Sequence, residues 1–188
     1  MPAAAPRRYT VRSYLALVDD GVLHPRDPVE LLGGLVVAEP PVHPPYASAT
    51  CRAETALRVA IGQQAVLRAR QPFIAGRSSL PEPEIAVVPG ALADYDRGHP
   101  RRALLIVEVA EGTPQEHRLT RAPIYAAVGV PKYWLVNLGD DCVEVFRKPN
   151  AARRRYELVE RVERGDDLVV LTLADASVAV DDLLPKHR

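Results

Sequence analysis

The sequence predicts a mixed α/β domain in which one central β-sheet is flanked by helices. Two observations carry that expectation. Apolar residues recur at helical spacing in the first sixty positions, then at strand spacing in short runs after Gly62. The run ALLIVEVA, residues 103–110, is apolar at every position except Glu108, so it belongs at the sheet centre with both faces covered.

Residues 10–20 place Val11, Tyr14, Leu15 and Val18 on one stripe, with Thr10 as N-cap and Gly21 as the stop. VELLGGLVVAE is two apolar runs around Gly33 and Gly34, the composition of a tight hairpin with a primed turn. The prolines of PPVHPP then break the chain before a helix expected over residues 46–61, ended by Gly62. AVLRAR, PFIAG, EIAVV and ALLIVEVA read as four strands. Residues 89–102 form the expected long mobile loop. A helix over 115–128 is interrupted by Pro123, which lacks a donor and must kink it or mark a restart. KYWLVN, CVEVFR, RYELVE and LVVLTL complete a strand-rich C-terminal half, with Tyr133 and Trp134 expected in the core.

With 188 residues, 47% of them hydrophobic, the chain fits one domain, expected over residues 9–185 after a flexible terminus of residues 1–8. Lys+Arg and Asp+Glu balance at 24 each, so no global field draws the protein to nucleic acid or an anionic membrane. Any such binding must be local. Cys51 and Cys142 make neither a disulfide framework nor a metal pair, which fits a reduced, cytoplasmic setting. No run approaches the roughly 18 apolar residues of a membrane span. There is no Gly-rich phosphate loop, nucleophile elbow or His-rich zinc pattern.

What remains is a pair of acids. Glu108 lies inside a buried strand, where an ionised carboxylate is costly unless paired, hydrogen-bonded or metal-bound. Glu84, in PEPEIAVV, stands at the mouth of the preceding strand, where a solvated strand end is the plainer explanation. An antiparallel hairpin brings the two to the same end of the sheet. Their carboxylates and the backbone carbonyl of Val109 are oxygen ligands suited to Mg²⁺ or Mn²⁺. Such an ion acidifies a bound water and stabilises charge on a phosphoryl oxygen. A hydrolase of this kind also needs a cation. The position two after Glu108 is Ala110, but His117 and Arg121 share a helix face further on. The competing reading of Arg121 is a pair with a surface acid such as Glu116 or Glu111.

The runs PEPEIAVV, LLIVEVA, RAPIYAAVGVPKYWLVN and CVEVFR, with YTVRSYLALVDDGVLHPRDPVELLGG upstream, resemble the Uma-two family of restriction endonuclease-like proteins, within the PD-(D/E)XK nuclease superfamily. The resemblance spans about Tyr9 to Leu184 and implies a restriction-endonuclease-like fold. It assigns Glu84 and Glu108 to the two metal-binding acids and Arg121 to the position of the catalytic lysine. It also matches Glu30 to an acid of the hairpin. The departures are Glu84 for aspartate, Gly33 for the hairpin Asp, Tyr46 for a histidine, His117 for an Asp and Arg121 for lysine. Arginine keeps the charge but replaces a compact ammonium with a planar fork.

The resemblance therefore implies an Mg²⁺- or Mn²⁺-dependent endonuclease acting on nucleic acid, DNA in the first instance. The alternative is a non-catalytic relative that retains the fold and binds nucleic acid or another partner. Arg97, Arg101 and Arg102, in the loop between the acidic strands, are candidate phosphate contacts. Arg153, Arg154 and Arg155 read as a solvated hairpin edge. Cutting both strands of a duplex commonly uses two sites, which a homodimer would supply, although no interface motif specifies one.

Overall fold

The computed structural model describes residues 7–39, 41–112, 114–170 and 176–186. Residues 1–6, most of the terminus expected to be flexible, lie outside the described residues.

Helix α1 (Val11–Asp19) starts where the sequence predicts. The Thr10 hydroxyl accepts from the Ser13 amide while the Ser13 hydroxyl accepts from the Thr10 amide, which satisfies two donors at the helix start. The Tyr14 hydroxyl donates to the Val29 carbonyl at 3.0 Å and ties the helix to the hairpin β1 (Val29–Leu32) and β2 (Leu35–Ala38). Gly33 and Gly34 take φ of +58° and +88°, the primed turn that a two-residue hairpin requires. Helix α2 (Pro44–Ile61) begins two residues before the expected start. Proline at a first helical position gives up an amide that has no intrahelical partner anyway.

The main sheet has six strands in the order β3 (Val66–Ala69), β4 (Ile85–Val88), β5 (Leu105–Ala110), β6 (Lys132–Asn137), β7 (Cys142–Asn150) and β8 (Arg155–Glu163). Only β5 and β6 run parallel; the other neighbours are antiparallel. A crossover of helical segments joins the parallel pair: α3 (Pro114–Glu116), a π-helical stretch (His117–Arg121) and α4 (Ala122–Ala127). The expected kink at Pro123 takes this form because the Ala122 amide reaches back five residues to the His117 carbonyl, and Pro123 has no amide to restore the α register.

One strand expectation needs correction, and another is described only in part. PFIAG, residues 72–76, buries Phe73, Ile74 and Ala75 but is not a strand. Its Phe73 and Ala75 amides donate to the Pro81 and Ser79 carbonyls of one facing segment, while the Ile74 amide donates the other way, to the Pro100 carbonyl. Pro81 and Pro83 in the adjoining segment have no amides to return a ladder. The described part of LVVLTL, residues 168–170, enters β9 (Asp167–Val169), which pairs with β10 (Ser177–Ala179) ahead of α5 (Val180–Leu183). Residues 171–175 lie outside the described residues. Within 89–102 the chain forms a 3₁₀ turn, Leu92–Tyr95, whose Tyr95 hydroxyl donates to the Pro89 carbonyl.

The sheet is covered on both sides, as the apolar β5 requires. Val107, Val109 and Trp134 pack toward α2 through Ala53 and Leu57. Ile106, Tyr133 and Leu135 pack toward α4 through Tyr125 and Ala126. Strand alternation puts Glu108 on the α4 side, between Ile106 and Ala110. No helix is long and apolar enough to cross a membrane among the described residues.

Candidate active site

The ladder between β4 and β5 pairs Ile85 with Val107. One step further along the same antiparallel register, Glu84 faces Glu108, where directly opposed side chains have Cβ atoms about 5 Å apart. Both acids are buried, at 7% and 1% exposure, and like charges placed so are destabilising without compensation.

Compensation comes from the crossover. Arg121 Nη1 donates to Glu108 Oε1 at 3.1 Å and to Glu30 Oε2 at 3.1 Å, and Nη2 donates to Glu30 Oε1. The guanidinium therefore grips Glu30 with its fork and touches Glu108 from the side. Arg121 pairs with these buried acids, not with Glu111 or Glu116. Glu30, 2% exposed on β1, also accepts from the Glu82 amide at 3.2 Å, which fixes the hairpin to the segment that leads into Glu84. The Tyr125 hydroxyl, one helical turn after Arg121, donates to Glu108 Oε1 at 2.6 Å.

The charge states follow from this geometry. Burial, then the Glu108 charge, pushes the Glu84 carboxyl well above the usual carboxylate range, so of the two acids Glu84 is the one that holds a proton, directed at Glu108. Burial also acts to raise Glu108, but Arg121, the Glu84 proton, His117 and Tyr125 outweigh it and hold the carboxyl low. Glu30 is pushed up to about 7 by burial, against the pull of Arg121. The same contact raises Arg121, since its acid neighbours outweigh its desolvation. Glu30 rises in spite of its ion pair because the carboxylate loses more hydration than one shared guanidinium returns. Burial lowers His117, and its Nδ1 has no partner. His117 thus stands beside the acids without a hydrogen bond to them among the described residues.

A raised acid pKa makes the folded state hold a proton that the unfolded chain releases. Stability from Glu84 therefore falls as pH climbs from about 4.5 toward the folded-state value, by about 1.4 kcal/mol per unit of displacement. Below about pH 6.5 the lowered His99 and His117 act in the opposite sense, because the unfolded chain binds their protons. In EDTA, Glu84→Gln should stabilise the protein, with a gain that widens between pH 6 and 8.5 in paired thermal melts. A constant difference across that range would show that Glu84 does not carry the proton. Tyr125→Phe removes one hydrogen bond to a charged group and should cost about 1.5–3 kcal/mol in urea unfolding; a cost under 0.5 kcal/mol (on the order of a surface change) would mean Tyr125 contributes packing alone.

An oxygen-only donor set is present. Glu84 Oε2 is buried without a hydrogen-bond partner, and it belongs to a carboxyl kept beside a second one. That is the arrangement a small divalent cation relieves, and Mg²⁺ is commonly held by only one or two carboxylates with water and substrate oxygens completing the shell. Among the described residues no three His, Cys, Asp or Glu side chains gather into a metal cluster, so Glu84 and Glu108 are the two carboxylates on offer. These residues fit the ion.

The helix meets the sheet at a second acid. Arg118 Nε donates to Glu144 Oε2 at 2.7 Å, and Asn137 Nδ2 donates to Glu144 Oε1 at 2.8 Å. Glu144 lies in register with Glu108 across Leu135, so Arg118 and Arg121 pin one crossover to two strands of the same face. Sequence reasoning misses Tyr125 and this Arg118–Glu144 clamp. The signal for Tyr125 is its position four residues after Arg121; Glu144 carries none beyond an acid in an apolar strand. Of the predicted arginines, Arg97, Arg101 and Arg102 are all exposed, and none enters the acidic cluster.

The site is thus a pair of opposed acids on neighbouring inner strands of a six-stranded mixed sheet, with a helix cation turned onto them. The family model described as "Putative restriction endonuclease", Uma2, matches residues 11–181, and the chain belongs to that family. A solved structure described as a "putative nuclease belonging to DUF820" from Anabaena variabilis superposes with a TM-score of 0.68, covering 93% of this chain and 97% of that one at 15% identity. That likeness shows the shared fold. No curated protein matches the chain.

Proposed function

We propose that this protein is a divalent-metal-dependent endonuclease that hydrolyses phosphodiester bonds of nucleic acid, with DNA the first substrate to test. The observation that supports it best is the convergence of Glu84 and Glu108 one step beyond the β4–β5 ladder, with a buried Glu84 oxygen left unsatisfied. Mg²⁺ or Mn²⁺ would be held by Glu84, Glu108 and the Val109 carbonyl. Bound there, the ion would supply an acidified water and neutralise charge on a phosphoryl oxygen. The chain's own residues do the rest. Tyr125 and Arg121 fix the orientation of Glu108. Glu84 would have to release its proton to hold the ion. Arg121, anchored by Glu30, keeps a permanent positive charge beside the acids, where it can hold a non-bridging phosphate oxygen.

A second reading has its own observation. Arg121 pairs with both Glu108 and Glu30, and Glu30, pushed up to about 7, is only partly ionised at neutral pH while Glu84 holds a proton, so the cluster comes close to balance without a metal. That suits a non-catalytic relative that keeps nucleic-acid binding. Incubating the purified protein with supercoiled plasmid, single-stranded DNA and RNA, each with Mg²⁺ or Mn²⁺, separates the two. Cleavage that Glu108→Gln abolishes supports the endonuclease; its absence on every substrate with both metals favours the second reading.

A further inference from the structure

Two backbone hydrogen bonds far from the acids bring together three arginines that are distant in sequence. The Val11 amide donates to the Arg77 carbonyl at 2.8 Å, which sets the first turn of α1 beside Arg77. The Ile74 amide donates to the Pro100 carbonyl at 2.9 Å, which sets Arg101 beside the same segment. Arg12, Arg77 and Arg101 consequently line one open groove of about 770 Å³, over a floor that includes Leu15, Ala16 and Ile74.

The arginines of the C-terminal half are mostly held by acids, and those of this groove are not. Between Arg118 and Arg164 every arginine except Arg153 and Arg154 is ion-paired. Arg12, Arg77 and Arg101 are exposed and take part in no ion pair or side-chain hydrogen bond among the described residues. One acid, Asp19, also lines the groove, at the far end of α1. Three unpaired guanidiniums against one carboxylate leave a local positive excess in a protein whose total charge is zero.

We infer that this groove binds the phosphodiester backbone of a nucleic-acid strand, as an anchoring subsite separate from the carboxylates. Charge complementarity selects the occupant. Guanidiniums contributed by three chain segments are spread along an open channel, which suits a polyanion with repeating phosphates more than one compact anion. Aromatic residues are 5% of the chain and none lines the groove, so recognition runs through phosphates and not base stacking. The groove is also within reach of the acids. Glu82, whose amide holds Glu30, follows Arg77 closely along the chain, so those two backbone positions lie at most about 18 Å apart. A strand anchored here spans a few nucleotides before it meets Glu84 and Glu108.

The inference rests on the proposed nucleic-acid substrate, and binding measured without metal separates it from catalysis. Fluorescence polarisation with a labelled 30-mer duplex and its single strand, in EDTA over a salt series, reads both affinity and the number of phosphates neutralised. The triple variant Arg12→Gln/Arg77→Gln/Arg101→Gln should bind about tenfold or more weakly. Its plot of log affinity against log salt should flatten by about 2–3 units for the duplex. Arg153→Ala/Arg154→Ala, at the tip of the β7–β8 hairpin, should leave both readings unchanged. Equal affinity and equal slope in the triple variant, with wild-type thermal stability, would overturn the subsite even if the enzyme cuts. Binding that depends on the three arginines in a protein that never cuts would sustain the subsite and sink the catalytic reading. No binding of either probe by the wild type would overturn the subsite.

Discussion

Arg121→Met should destabilise the protein by about 3–5 kcal/mol, the usual cost of removing one partner from a buried ion pair. The substitution keeps much of the side chain's length but leaves Glu30 and Glu108 buried with no counter-charge. At about 2–4 °C per kcal/mol for a chain of this size, the melting temperature should fall by on the order of 10 °C. Arg121→Lys should cost less, because the charge survives while the fork on Glu30 is lost. Adding Glu30→Gln and Glu108→Gln to Arg121→Met should recover most of the loss, since the penalty is the unpaired charge and not the missing contact. A loss below about 1 kcal/mol for Arg121→Met (on the order of a surface substitution) would mean that water reaches these acids and that burial does not govern the site.

The second large effect is catalytic. Glu108→Gln keeps the shape of the side chain and its place in β5 but removes the charge that a divalent ion and Arg121 both require. Cleavage should drop by about 10³-fold or more, equivalent to about 4 kcal/mol in the barrier. The fold should persist, because an amide oxygen still accepts from Tyr125 and Arg121 in place of Glu108 Oε1. Glu84→Gln should lose activity comparably while gaining stability at high pH. The opposite movement of the two properties in one variant marks a residue kept for chemistry at the expense of the fold. Equal loss of both would point to structural damage.

Much of this site is legible in the order of the residues alone. The apolar frame of ALLIVEVA makes Glu108 conspicuous, because a charge there needs a partner. The antiparallel approach of Glu84 follows from two short strands joined by a loop. Arg121 stands out as the cation on the next helix, but its partner does not, since nothing in the spacing distinguishes a buried Glu30 on a distant hairpin from a surface Glu116. Glu30 is reached by resemblance alone, and the structure gives it a place that burial and the Arg121 fork explain. PFIAG reads wrongly as a strand because periodicity cannot report that the segment across from it, with Pro81 and Pro83, lacks donors. The π stretch lies at the same limit. Pro123 announces an interruption, while the form it takes depends on where the Ala122 amide can find a carbonyl. Arg12, Arg77 and Arg101 come from three segments, and only the hydrogen bonds of Val11 and Ile74 unite them.

Calorimetric titration of Mn²⁺ into the wild type and Glu84→Gln at pH 7.5 addresses the Glu84–Glu108 pair directly. One ion per chain is the expected stoichiometry, with an enthalpy that varies with the ionisation heat of the buffer, because the Glu84 proton leaves as the ion arrives. Glu84→Gln should abolish both the binding and the proton release. Absence of binding to the wild type, or binding with no proton released and undiminished in the variant, would contradict the assignment of these two acids as a cation site.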